Sequence, residues 1–278
     1  MMENNSQKYN FLLEGTNKRG VLLIHGITGT PSEMNFLGRK LNKAGFTVMC
    51  NTLPRHCASL GELKKVTWEE IADFCAQDLI RLQEKCPEVF VGGLSMGALM
   101  AIHLAYKSPQ DVKGIIALAP TLFYDGWALS KGKVLLDLAW AVPLLRNNIN
   151  IRESPPYGLK DEYMRRHIER FYKGAKSSEF DDKVVMFGSP FFPLACLYQH
   201  QLFVKVVKKE IPFVKTPVLL LHAKEDDMAS PKNSLYVLNN IASRDKILIM
   251  LENSYHMITI DQEKEKVVQE VIKFLNKF

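Results

Sequence analysis

A hydroxyl, an imidazole and a carboxylate brought together can make a serine nucleophilic at neutral pH, and this chain offers all three in a suggestive order. The hydroxyl candidate is Ser95, inside Gly93-Leu94-Ser95-Met96-Gly97. The pentapeptide alone is a weak signal, and its setting strengthens it. An apolar run, residues 89–94, leads straight into Ser95, and a stretch of helical character, 96–106, leaves it. Such a sharp strand-to-helix turn lifts a serine hydroxyl clear of a sheet edge. The flanking glycines let neighbouring backbones close in without a Cβ, and a helix N-terminus favours developing negative charge. The plainer alternative is a serine that caps a helix after a glycine turn.

The base must come from seven histidines. His256 is the best placed, in a polar loop (Glu252-Asn253-Ser254-Tyr255) after an apolar run and before the last helical stretch. A loop beyond a strand end can reach the same sheet edge as Ser95. His222 lies within a strand run, His103 on the helix behind Ser95, and His56, His167 and His200 have no serine-facing rationale. The run ending at Ala223 is followed by Lys224-Glu225-Asp226-Asp227, so the carboxylate that orients His256 is Asp226 or Asp227. An acyl-transfer site also needs backbone N–H donors for the oxyanion. Met96, just after the nucleophile, supplies one. The turn His25-Gly26-Ile27-Thr28-Gly29 supplies the other through Ile27. His25 shapes that turn, and His25, Gly26, Phe123 and Trp127 are the candidate substrate-binding residues.

Positioning these groups requires strands that end at one edge. Continuous apolar runs at 21–25, 46–50, 89–94, 114–119, 217–223 and 247–251 suit strands of a mainly parallel sheet covered on both faces. Helix signals lie between them. Thr30-Pro31-Ser32-Glu33 offers an N-cap, a proline at the first position and a glutamate at the third, with Gly45 closing the helix. Thr67-Trp68-Glu69-Glu70 opens another helix, and residues 262–278 carry Val267, Val268, Val271, Ile272 and Leu275 on one face. This alternation predicts an α/β fold with helices on both faces of the sheet. It breaks between residues 120 and 216, where aromatics and the loop markers Pro155-Pro156, Gly158, Gly188 and Pro190 accumulate. We divide the chain into a core, 1–119 and 217–278, and a helical cap insertion, 120–216, with helical periodicity over 128–145, 161–172 and 194–208. A packing domain without a ligand role is the other reading of that insertion.

Of the 278 residues, 47% are hydrophobic and 24% charged, which excludes disorder over most of the chain and is ample for a large core. The net charge of +6 is spread without a clustered basic face, so no nucleic-acid partner is expected. Five cysteines with no C-x-x-C pair read as reduced thiols of a cytoplasmic protein. Residues 1–10 are polar and unlike a signal peptide, and the most apolar stretch, 134–145, is broken by Asp137 and Pro143 and falls short of the roughly 20 residues a membrane span needs. No stable membrane insertion is expected. No H-E-x-x-H or comparable spacing points to a metal.

Three stretches together resemble the α/β-hydrolase superfamily: residues 23–30, residues 93–97 and Asn253-Ser254-Tyr255-His256-Met257-Ile258-Thr259-Ile260-Asp261. Within it the chain is most similar to small carboxylesterases and monoacylglycerol-lipase-like enzymes of the serine aminopeptidase group. The resemblance implies the α/β-hydrolase fold, no cofactor, and a triad of Ser95, Asp226 and His256, with Asp226 chosen over Asp227 by the stretch Asp226-Asp227-Met228-Ala229-Ser230-Pro231. It implies hydrolysis of a small-molecule carboxylic ester, and the apolar insertion points to a short-to-medium acyl chain handled through an acyl-enzyme, with monoacylglycerols among the candidates. Acyl transfer, or amide or peptide cleavage, on the same triad is the alternative. A binding protein that keeps the fold is a third. The chain departs from the family at Leu53-Pro54-Arg55-His56-Cys57, where L-P-G-H-G is common, at Ala223, often glycine, and in the length of the insertion.

Overall fold

In a computed structural model of the chain, the described residues are 8–128, 142–173 and 188–278. The six apolar runs form the parallel strands of one sheet, the last of them, β9, at an edge. Its strands are β1 (Phe11–Leu13), β2 (Arg19–Ile24), β3 (Thr47–Cys50), β4 (Glu88–Leu94), β5 (Ile115–Leu118), β8 (Val218–Ala223) and β9 (Lys246–Leu251). They lie in the order β1-β3-β2-β4-β5-β8-β9. Every pairing is parallel except that of β1 with β3, an edge strand the sequence did not announce. A separate antiparallel pair, β6 (Asn150–Arg152) and β7 (Phe191–Pro193), sits in the insertion.

The strands are apolar without alternation because both faces are covered. Val21 and Leu23 of β2 pack with Met34, Leu37 and Leu41 of α1 (Ser32–Lys43) and with Val267 and Val271 of α9 (Lys264–Leu275). Leu22 and Ile24 point to the opposite layer, with Leu79 and Leu82 of α3 (Trp68–Gln83). That layer also holds α4 (Met96–Lys107), which is buried all round from Met96 to Ala105. The short α2 (Leu60–Leu63) precedes α3, whose N-terminus is capped as the sequence predicts: Thr67 Oγ1 accepts the Glu70 amide at 3.2 Å. Between β8 and β9 lies α8 (Lys232–Asn240).

The insertion is less separate than expected. Its α5 (Pro143–Asn148) and α6 (Glu162–Tyr172) lie outside the two main layers, but α7 (Leu194–Glu210) packs on α3 and α4. Phe203, Val204 and Val207 of α7 join the core, and Phe203 stacks on Trp68 at 5.4 Å. Burying that apolar face requires the sheet layer, so the helix is core rather than cap. Most of the helix expected over 128–145 lies outside the described residues, whereas α6 and α7 match the expected stretches. No described helix is long and apolar enough to cross a membrane.

The pairings Ile24↔Gly93 and Leu94↔Leu118 bring the carboxyl ends of β2, β4 and β5 level. The loops that follow these strands, and those after β8 and β9, therefore gather at one rim, where open parallel sheets bind ligands.

Candidate active site

Ser95 sits on the turn between β4 and α4 with φ 58° and ψ −115°. A non-glycine residue in this region is strained, and such strain persists where the surroundings over-determine it. Here the Ser95 amide donates to Leu118 O at 2.9 Å and its carbonyl accepts from Ala98 N. A Cβ on Gly97 would lie 2.2 Å from Ile24 O, so only glycine lets α4 start this close to β2. Thr121 Oγ1 donates to Ala119 O at 3.2 Å, which makes the Ser95 hydroxyl the donor in its 3.0 Å bond to Thr121. Among the described residues that hydroxyl bonds Thr121 and not His256.

His256 follows β9 and is 3% exposed. Its Nδ1 lies 2.8 Å from Asp226 Oδ2. The Asp226 carboxylate, just past β8, also accepts the amides of Met228 at 2.9 Å and Ala229 at 2.7 Å through Oδ1. His222 Nε2 is a further neighbour of Asp226 Oδ2, at 3.2 Å. That nitrogen also lies 2.7 Å from Ala229 O, which only accepts, so it carries a proton, and His222 Nδ1 lies 2.8 Å from Ser234 Oγ. Burial raises the Asp226 carboxyl, but the charge and hydrogen bonds of His256 and His222 outweigh it and hold the group well below the usual carboxylate range. For His256, burial favours the neutral ring. Asp226, with Asp227 and Glu33 behind it, overcomes this and keeps its pKa above the ordinary value. Asp227 turns elsewhere: Oδ2 accepts the Gly158 amide at 3.1 Å and Oδ1 the His256 amide at 3.3 Å.

Ser95 and His256 face one cavity of about 380 Å³, roofed by Leu159, Met164, Ile168 and Tyr172 of the insertion. Gly26 and Ile27 line it as well. The amides of Ile27 and Met96 have no acceptor among the described residues. The structure places three of the four expected substrate contacts away from this cavity wall. His25 is fully buried, Nδ1 donating to Gly26 O at 2.9 Å and Nε2 accepting the Leu53 amide at 3.1 Å, so both nitrogens serve the turn. Phe123 packs against the core with Lys208 Nζ 4.0 Å from its ring centroid. Trp127 is 55% exposed, edge-on to Tyr255, with Nε1 donating to Glu225 O.

Sequence reasoning missed two acids in the wall. Glu33, expected as a helix-capping glutamate, instead accepts the Gly26 amide at 3.0 Å. Burial pushes it up to about 7, against the pull of the Gly26 amide and of His256. Glu153 is pushed up to about 8 by burial and then by the charges of Glu33 and Asp227. The glutamate three residues after Thr30 was the signal for Glu33, but it fits two roles equally well. No sequence pattern marks Glu153. Among the described residues no group of three or more His, Cys, Asp or Glu side chains is arranged to hold a metal ion.

The chain is similar to known lipases and carboxylesterases. The family profile described as serine aminopeptidase, S33, matches residues 15–263. The thermostable monoacylglycerol lipase of Bacillus sp. (strain H-257) is 25% identical over 258 residues, covering 93% of this chain and 90% of the relative. The carboxylesterase of Bacillus subtilis (strain 168) is 24% identical over 271 residues, covering 96% of each. A solved structure from the work on LipS and LipT, two metagenome-derived lipolytic enzymes, superposes with a TM-score of 0.79 at 25% identity and covers 100% of both chains. The monoacylglycerol lipase of Paleococcus ferrophilus, at 19% identity and a TM-score of 0.73 over 96% of this chain and 97% of its own, shares the fold. With the profile spanning most of its length, the chain belongs to the serine aminopeptidase S33 family of α/β hydrolases.

Proposed function

We propose that the protein is a serine carboxylic-ester hydrolase that works through an acyl-enzyme on Ser95. The observation that carries this reading is the strained Ser95 turn opening on the same cavity as a His256 ring paired with Asp226. In the proposed cycle the Ser95 hydroxyl leaves Thr121 by rotation about χ1 and gives its proton to His256 Nε2 as Oγ attacks the ester carbonyl. The carbonyl oxygen becomes an anion and accepts from the amides of Ile27 and Met96. Asp226 keeps the Nδ1 proton in place and stabilises the imidazolium. His256 then protonates the leaving alcohol, and water attacks the acyl group with the same base. No cofactor is needed for any step.

The apolar roof suits an acyl chain of short-to-medium length, and monoacylglycerols are candidate substrates because relatives that match nearly the whole chain carry that activity in their names. Residues 8–119 and 217–278 with α7 would form the catalytic body, and Leu159, Met164, Ile168 and Tyr172 of the insertion its roof. Chromogenic acyl esters of graded chain length test this. Wild type should hydrolyse them and Ser95→Ala should lose at least about a thousandfold in kcat/KM. Equal rates for the two proteins would remove the proposal. Product analysis with added alcohols, thiols and amide substrates separates hydrolysis from acyl transfer and peptidase activity.

A further inference from the structure

We propose that Glu33 is a positioning residue for the oxyanion-forming turn, holding residues 26–30 so that the Ile27 amide faces the cavity beside Ser95. This rests on the serine-hydrolase reading above and adds to it a residue that neither the triad nor the oxyanion donors include.

Glu33 lies in the first turn of α1 and is 8% exposed. It lines the same cavity as Ser95 and His256. Its Oε2 accepts the amide of Gly26, the residue directly before Ile27, at 3.0 Å. The Thr30 backbone also bonds the carboxylate, so one side chain ties both ends of the turn. A Cβ on Gly29 would lie 1.8 Å from Oε1: the carboxylate fills the space a side chain at 29 would need. The other groups on the turn act on different atoms. His56 Nε2 lies 2.6 Å from Ile27 O, and the Ser189 amide donates to Thr28 O at 3.1 Å. The peptide plane that carries the Ile27 N–H is held at its own carbonyl, Gly26 O, by His25 Nδ1 at 2.9 Å and the Gly29 amide at 3.2 Å, while Glu33 through the Gly26 amide and His56 through Ile27 O fix the two planes that flank it. An amide fixed before the reaction costs no reorganisation as the oxyanion forms.

The charge of Glu33 has a second effect. His256 is faced by Asp226, Asp227 and Glu33, and Glu33 is one of the groups that raise its pKa. Glu33 is in turn faced by His256 across the cavity, and its charge reaches Glu153, Tyr172, Cys50 and Cys57. Removing the charge but keeping an acceptor for Gly26 therefore separates the two effects.

The experiment compares wild type, Glu33→Gln and Glu33→Ala on p-nitrophenyl butyrate from pH 5 to 9, with thermal unfolding followed by circular dichroism. Glu33→Ala should lower kcat about ten- to a hundredfold with KM within about threefold, because the donor loosens while the pocket stays. Glu33→Gln keeps the acceptor for Gly26 but turns an NH₂ towards Thr30. It should recover part of kcat and move the acid limb of kcat/KM to lower pH. A folded Glu33→Ala with wild-type kcat overturns the inference. So does a Glu33→Gln as slow as Glu33→Ala. If Glu33→Ala fails to fold, Glu33→Asp decides instead, because its carboxylate falls one methylene short of the Gly26 amide: a wild-type kcat overturns the inference, and a kcat lowered at unchanged KM supports it. Labelling of wild-type Ser95 by a fluorophosphonate separates the two levels. A wild type that labels leaves the hydrolase reading standing whatever the Glu33 variants do. A wild type that does not label brings both down.

Discussion

Replacing Asp226 by asparagine exchanges one oxygen for an NH₂ at a carboxylate that is 0% exposed and fully engaged. Oδ1 takes two amides, Met228 and Ala229, and Oδ2 faces His256 Nδ1 and His222 Nε2. If the asparagine oxygen stays on the two amides, its NH₂ points at both rings. His256 Nδ1 must then accept, which places the ring proton on Nε2, the nitrogen that should receive the Ser95 proton. If the amide flips, its NH₂ opposes two backbone N–H groups, an arrangement of buried donors facing donors that costs about 1–3 kcal/mol for each unsatisfied group. The unflipped form opposes only the His222 Nε2 proton, which keeps its bond to Ala229 O, so it should dominate, with the wrong tautomer. The wrong tautomer in a comparable triad costs about 10⁴ in kcat, or about 5–6 kcal/mol of barrier. The assay is kcat and kcat/KM on a chromogenic ester, with Asp227→Asn alongside. Asp227 bonds amides of Gly158 and His256 and not the ring, so its loss should be far smaller. A loss under tenfold for Asp226→Asn, or a larger loss for Asp227→Asn, would refute the assignment of the orienting carboxylate.

Glu153→Gln should change how stability depends on pH. The Glu153 carboxyl is raised from 4.5 to about 8, so the folded state binds its proton more tightly than the unfolded chain, and stability falls as pH rises through that window. Glutamine removes this loss. Melting temperatures of wild type and variant should coincide near pH 5, and the variant should melt about 3–8 °C higher at pH 8.5, while a constant gap at both pH values would contradict the burial argument. Gly97→Ala places a methyl 2.2 Å from Ile24 O against backbone that cannot yield, so it should destabilise by about 3 kcal/mol or more in chemical denaturation. A variant as stable as wild type would mean that α4 can move away from β2.

Much of this architecture was readable before folding. Each of the six parallel strands coincides with a continuous apolar run, and in β2, β3, β4, β5 and β8 burial on both faces removes the alternation that otherwise marks strands, whereas the edge strand β9 is fully buried only at Leu251. That Ser95, Asp226 and His256 lie at one rim was readable because each follows a strand end, and strand ends share a rim. The edge strand β1 was not, since three residues paired on one side leave too little pattern. The errors concern side-chain direction. Phe123 and Trp127 sit in the chain close to the site, yet Phe123 turns into the core and Trp127 out to solvent. His25 is spent on the turn it shapes. Glu33 and His222 fitted ordinary roles as a helix cap and a buried strand residue. Only the fold reveals that a turn folds over the one and a carboxylate reaches the other. Helical spacing in α7 does not say whether it covers a pocket or a sheet; in the structure its Phe203, Val204 and Val207 pack into the core.

The most direct measurement is intact-protein mass spectrometry after exposure to a fluorophosphonate, followed by peptide mapping. The account predicts one adduct per chain, carried by the Ser95 peptide, absent in Ser95→Ala and formed at least about a hundredfold more slowly in His256→Ala. An unmodified wild type, or an adduct mapped to another residue, would contradict it.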